Sequence, residues 1–84
     1  MLEVKVYAIK YCDDRDLVGT IRYDGQKLIA SPADSRILQS TISERIIGLY
    51  GKPYDSQKDP EGFIRNLCYQ YDGSRFRVSR AYET

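Results

Sequence analysis

The sequence predicts an α+β domain in which an antiparallel sheet of three or four strands carries two helices on one face. Three observations predict it. Residues 17–31, LVGTIRYDGQKLIAS, place two runs rich in apolar and β-branched residues on either side of Asp24-Gly25, the pattern of a β-hairpin. Residues 2–11 alternate strictly, with Leu2, Val4, Val6 and Ala8 on one side and Glu3, Lys5, Tyr7, Ile9 and Tyr11 on the other. Residues 59–71 open on Asp59-Pro60-Glu61 and continue with Phe63, Ile64, Leu67, Cys68 and Tyr71 at helical spacing. A single domain spans residues 1–84, and a chain of 84 residues is small enough that a partner or self-association is expected to add to its stability.

The first strand puts its apolar face into the core. Residues 12–16, CDDRD, form a polar loop leading into the hairpin, so the first three strands make a meander. With Asp24 and Gly25 as the two central residues of a type I′ turn, Tyr23 faces Gln26, Arg22 faces Lys27 and Ile21 faces Leu28. One hairpin face then holds Gly19, Ile21, Tyr23, Gln26, Leu28 and Ala30 and carries no charge, which assigns it to the core. The other holds Val18, Thr20, Arg22, Lys27, Ile29 and Ser31. It sets two cations opposite each other, an unfavourable pairing unless acids or an anionic ligand compensate.

Ser31-Pro32-Ala33-Asp34 is a helix entrance, with Ser31 as N-cap, Pro32 in the first turn and Asp34 closing a capping box; Asp34 as the N-cap itself is the close alternative. That helix runs to about Ser43, with Ile37, Leu38, Thr41 and Ile42 inward. Residues 44–50, ERIIGLY, prolong the helix or form a short strand. The pair Ile46-Ile47 and the nearby Gly48 and Gly51 favour the extended form. Residues 51–58 are a loop.

The second helix has Asp59 as N-cap, Pro60 at its first position and Glu61 near its positive end. Arg65, Asn66, Tyr69 and Gln70 fall toward solvent, and Gly73 ends it. Residues 74–82 are a last strand, with Phe76 and Val78 inward and Arg75, Arg77 and Ser79 outward. It pairs with the first strand or with the hairpin.

Catalysis finds little support. The chain has no histidine, which removes the commonest general base and metal ligand. No G-x-S-x-G elbow and no phosphate-binding glycine loop occurs. Asp13, Asp14 and Asp16 form the densest acidic cluster, but without EF-hand spacing a solvated loop is the simpler reading. Cys12 and Cys68 are the only cysteines. They read as idle or buried thiols, with Cys12 further quietened by its acidic neighbours. No cofactor, no metal and no enzyme activity are expected.

Net charge is +1, so the whole chain makes no case for nucleic acid or for an anionic membrane. No run approaches the length of a membrane span, and the alternating N-terminus is unlike a signal peptide, so a cytoplasmic setting is expected. Two surface constellations remain. Eight tyrosines is a high count for this length, and tyrosine favours binding surfaces. Tyr50 and Tyr54 flank the Gly-Pro loop and, with Tyr69, are the candidates for contact with a protein partner. Arg22, Lys27, Arg75, Arg77 and Arg80 are the candidates for binding single-stranded nucleic acid, with Tyr7, Tyr11, Tyr69 and Tyr82 as stacking surfaces. A non-enzymatic protein-interaction or adaptor domain, able to serve as a subunit of a larger assembly, is the first expectation. The nucleic-acid module is the alternative.

Overall fold

A computed structural model describes residues 1–10, 14–70 and 76–84. Its strands and helices follow the order β1 (Leu2–Ile9), β2 (Arg15–Tyr23), β3 (Leu28–Ser31), α1 (Arg36–Ser43), β4 (Ile46–Ile47), β5 (Pro53–Tyr54), α2 (Pro60–Gln70), β6 (Phe76–Val78) and β7 (Tyr82–Glu83). The main sheet has the order β3-β2-β1-β6, with β7 also against β1, and all these pairings are antiparallel. The expected α+β architecture is therefore present. The sheet has five strands because the last strand is broken: β6 places Val6 opposite Val78, whereas β7 places Glu3 opposite Tyr82, a register one residue further on. At the break the Ser79 hydroxyl oxygen accepts the Lys5 N–H at 2.8 Å.

Both helices cover one face. Leu2, Val4 and Val6 of β1, Ile21 of β2, Ala30 of β3 and Val78 of β6 join Leu38, Ile46, Phe63, Ile64 and Leu67 in one core. The Asp59 carboxylate accepts the Gly62 N–H at 3.0 Å, so α2 starts at Pro60 as its capping signal requires. The expected helix end at Gly73 lies outside the described residues, as do Tyr11, Cys12, Asp13, Tyr71 and Arg75.

The hairpin turn departs from the type I′ expectation. Tyr23 pairs with Leu28, Arg22 with Ile29 and Ile21 with Ala30, which centres the turn on Gly25-Gln26. Gly25 has φ 101°, but Asp24 is not among the described residues with positive φ, which type I′ demands. The Asp24 carboxylate instead accepts the N–H groups of Gln26 (2.8 Å) and Lys27 (2.9 Å), an Asx turn. Moving the centre by one residue moves the register by two, so the side chains from Gly19 to Ala30 keep their faces. Val18, expected outward, instead falls where the β1–β2 register shifts and packs against the core. Gly19, Ile21 and Ala30 are buried as expected, while Arg22 is not opposed by Lys27.

The first helix starts later than either entrance predicted. Ser31 is still in β3, paired with Thr20, and a cis Ser31–Pro32 bond follows. The cap is Ser35, whose hydroxyl accepts the Leu38 N–H at 3.3 Å. Leu38 and Thr41 are buried and Ile42 is half-buried, but Ile37 is exposed. Two hydroxyls in this short helix donate to the carbonyl four residues back, Thr41 to Ile37 and Ser43 to Gln39, each at 2.8 Å.

Residues 46–47 are extended, as expected. The loop predicted over 51–58 is corrected, because Pro53–Tyr54 is β5 and pairs with β4 in a separate two-stranded ribbon. A 3-10 turn, Leu49–Gly51, joins the two strands, and the Gly48 N–H closes it onto the Lys52 carbonyl at 2.8 Å. Proline tolerates this place because a two-residue strand asks for few ladder donors.

Candidate functional site

The ribbon is built to present its tip. Ile46 is fully buried and roots the ribbon in the core. Two α2 side chains that the helical pattern assigned to solvent hold the rest: Gln70 Oε1 accepts the Ile47 N–H at 3.1 Å, and Asn66 Oδ1 accepts the Leu49 N–H at 3.3 Å. Asn66 is itself fixed, donating from Nδ2 to the Gly62 carbonyl at 2.8 Å. The approach requires glycine at 48, since a Cβ there would stand 2.6 Å from both Asn66 Oδ1 and the Tyr54 ring. Beyond these anchors Ile47 is 52% exposed, Leu49 is exposed, and Tyr50 is 97% exposed.

Tyr50 also has φ 63° and ψ 18°, and it is the one non-glycine residue with positive φ among the described residues. Left-handed backbone is costly for a side chain with a Cβ, and such residues concentrate where geometry serves a function. The three candidate tyrosines separate. Tyr50 and Tyr69 are exposed, Tyr69 on the α2 segment that carries the anchors Asn66 and Gln70. Tyr54 is half-buried, packs against the core and has Lys52 Nζ 5.4 Å from its ring centroid.

A cleft of about 330 Å³ lies along β5, lined by Arg45, Lys52, Pro53, Tyr54, Asp55, Lys58 and Asp59. Its carboxylates serve the backbone: Asp55 accepts the N–H groups of Gln57 (2.8 Å) and Lys58 (3.2 Å), and Asp59 caps α2. The two backbone bonds hold the Asp55 carboxyl below the usual range. Arg45, Lys52 and Lys58 make no ion pair among the described residues.

The other surface is the sheet face away from the helices. The registers place Ile29, Arg22, Glu3 and Tyr82 in one row across β3, β2, β1 and β7, and Leu17, Tyr7 and Arg77 in another across β2, β1 and β6. Lys5 lies between the rows. Arg15 pairs with Ile9 at the far end, after a bulge between Val6 and Tyr7 that leaves the alternation of β1 intact. Glu3 is buried beneath its neighbours. Arg22 donates to Glu3 Oε1 from Nη2 at 2.9 Å and from Nε at 3.3 Å, and the Tyr82 hydroxyl donates to Glu3 Oε2. These bonds hold the Glu3 carboxyl below its ordinary pKa, the Tyr82 hydroxyl contributing most and Arg22 next. The same bond to Glu3 pushes the Tyr82 phenol up to about 12.

The five cations proposed for nucleic acid thus disperse. Arg22 and Arg77 share the open face, the first paired with Glu3. Lys27 sits in the hairpin turn, and Arg80 is exposed in the break between β6 and β7. Arg75 is outside the described residues. Lys5 and Arg15, which the sequence did not single out, are exposed on or at the end of the same face.

A cleft of about 530 Å³ lies between the hairpin turn, the end of α1 and residues 55–57. Its lining, which includes Gln26, Lys27, Ser43, Glu44, Asp55 and Gln57, contains no cysteine and no histidine. No group of three or more metal-ligating side chains occurs among the described residues, and no helix there is long and apolar enough to cross a membrane. The chain matches no family model, no curated protein and no solved structure.

Proposed function

We propose that the chain is a small non-enzymatic protein-interaction domain, an adaptor or a subunit of a larger assembly, that docks through the tip of its β4–β5 ribbon. The observation that carries this reading is Tyr50. Its side chain is almost wholly in water, its backbone is left-handed, and the turn bearing it is fastened to α2 by two side-chain hydrogen bonds. An amphipathic ring carried on a fixed turn leaves only its few side-chain torsions to be ordered on binding, which favours tyrosine at interfaces. Ile47 and Leu49 extend the apolar surface around it.

The partner on this reading is a second protein with an apolar socket for the Tyr50 ring and acidic residues at its border. The acidic border follows from Arg45, Lys52 and Lys58, three cations without ion pairs among the described residues on and beside the same ribbon. The cytoplasm is the proposed compartment, where the Cys68 thiol stays reduced.

Affinity capture from the native host tests the reading, with the parent and Tyr50→Gly as parallel baits. A protein retained by the parent and lost by the variant, at equal bait stability, supports it. Equal retention by both baits overturns it, and a parent that captures only its own copies replaces the second protein with self-association.

A further inference from the structure

The open face of the sheet combines features that the ribbon does not use. Its central strand carries Tyr7, half-buried, with Leu17 (58% exposed) beside it on β2 and Arg77 beside it on β6. Two residues along β1, about 7 Å away, is Lys5. Arg15 lies beyond Tyr7, opposite Ile9. Against Lys5, Arg15 and Arg22, the one carboxylate that the alternation places on this face among the described residues is Glu3, already engaged by Arg22 and Tyr82. Asp16 points to the opposite side of β2 and pairs with Lys10. Lys5 and Arg15 make no ion pair among the described residues.

We infer that this face binds single-stranded nucleic acid along β1, with Tyr7 as a base-stacking platform and Lys5 and Arg15 contacting phosphates on either side of it. A polyanion satisfies the cations, but an acidic peptide gains nothing from the aromatic ring between them. A single strand supplies both complements, because each unit joins a phosphate to a flat π surface. A duplex keeps its bases stacked inside and cannot offer them to Tyr7. Tyr82 is not a second platform: its hydroxyl is held by Glu3, and Lys5 Nζ lies 6.0 Å from its ring centroid. The inference is independent of the ribbon, which is a separate two-stranded sheet.

Fluorescence anisotropy with a labelled oligouridylate tests it, with a duplex of equal length and polyglutamate as competitors. The parent binds the single strand, and log affinity falls linearly with log salt. Tyr7→Leu weakens binding by about 5- to 150-fold, as for loss of one stacked base, while Tyr7→Phe binds like the parent. The exposed pair Lys5→Gln and Arg15→Gln flattens the salt slope by about 1.4, at about 0.7 for each phosphate left unneutralised. Thermal melts of each variant establish that it is folded, and the charge pair carries the test if Tyr7→Leu is not. No salt-dependent binding by the folded parent overturns the inference. So does polyglutamate competing as well as the oligonucleotide, which would make the face a docking site for an acidic protein.

Discussion

Arg22 Nη2 lies 2.9 Å from Glu3 Oε1 across the β1–β2 ladder, and from the other side of β1 the Tyr82 hydroxyl donates to the second oxygen of the same carboxylate. One acid thus ties three adjacent strands at one level, including β7 at the end of the chain. Replacing it leaves a guanidinium and a phenol with weaker acceptors. Glu3→Gln is expected to destabilise the fold by about 1.5–3 kcal/mol, the range for hydrogen bonds to a charged group. Urea denaturation checks this, and a variant as stable as the parent would show that the row contributes nothing.

The same row makes stability depend on pH at both ends. The folded Glu3 has a pKa below its ordinary value of 4.5, so the unfolded chain takes up its proton first. Its contribution is complete above that value and is lost as pH falls through the lower, folded one. The Tyr82 phenol moves the opposite way, from 10.0 to about 12. Its contribution is complete below 10.0 and is lost as pH rises toward about 12. Melting temperatures of the parent and of Glu3→Gln across both ranges check the signs. The parent should lose its advantage over the variant at acid pH, and an advantage unchanged there would contradict the assignment.

Leu67→Ala is expected to cost about 2–5 kcal/mol, because Leu67 is fully buried where α2 meets the sheet. Equilibrium unfolding gives the number directly, and a loss within fitting error would sink the packing of α2.

Gly25→Val is expected to cost about 1–3 kcal/mol through backbone strain alone. Gly25 has φ 101° and open space where a Cβ would stand, so no clash contributes. A variant with parental stability would mean that the turn relaxes to another type.

Much of the architecture was legible in the sequence, and the failures have physical causes. Alternation in residues 2–11 and the capping signal at Asp59 each pointed to one element, and both elements formed. The hairpin faces from Gly19 to Ala30 were legible although the turn was not, while Val18, read as outward, falls at the β2 bulge and packs against the core. Asp-Gly suits several turns, and an Asp24 side chain that accepts two backbone N–H groups competes with the backbone bonds of type I′. Ser-Pro at 31–32 carries a helix-start signal, but the ladder to Thr20 holds Ser31 in the strand. Asn66 and Gln70 were assigned to solvent because helical periodicity separates polar from apolar faces. It does not reveal that a distant ribbon brings unpaired N–H groups to that polar face. Among the candidate site residues, the tyrosine content marked Tyr50 but not its neighbours Ile47 and Leu49, whose exposure only the ribbon reveals. The arginines were identified by type, and only the structure shows that Arg22 pairs with Glu3 while Lys5 and Arg15 make no ion pair among the described residues.

Tyr50→Gly separates docking from folding. The ring is almost entirely in solvent, and φ 63° suits glycine better than tyrosine. Relief of left-handed strain offsets the added freedom of glycine in the unfolded chain, so stability should stay within about 1 kcal/mol of the parent. A loss well beyond that, read by urea denaturation, would mean that the ring is supported by the fold and is not held out for a partner.

The most direct measurement places a photo-crosslinking benzoylphenylalanine at position 50 in the native host, with the same group at position 27 as control. Docking through the ribbon tip predicts one discrete adduct at position 50, none of the same mass at 27, and loss of that adduct when Ile47→Ser is added. No adduct at 50, or the same adducts from both positions, would contradict it.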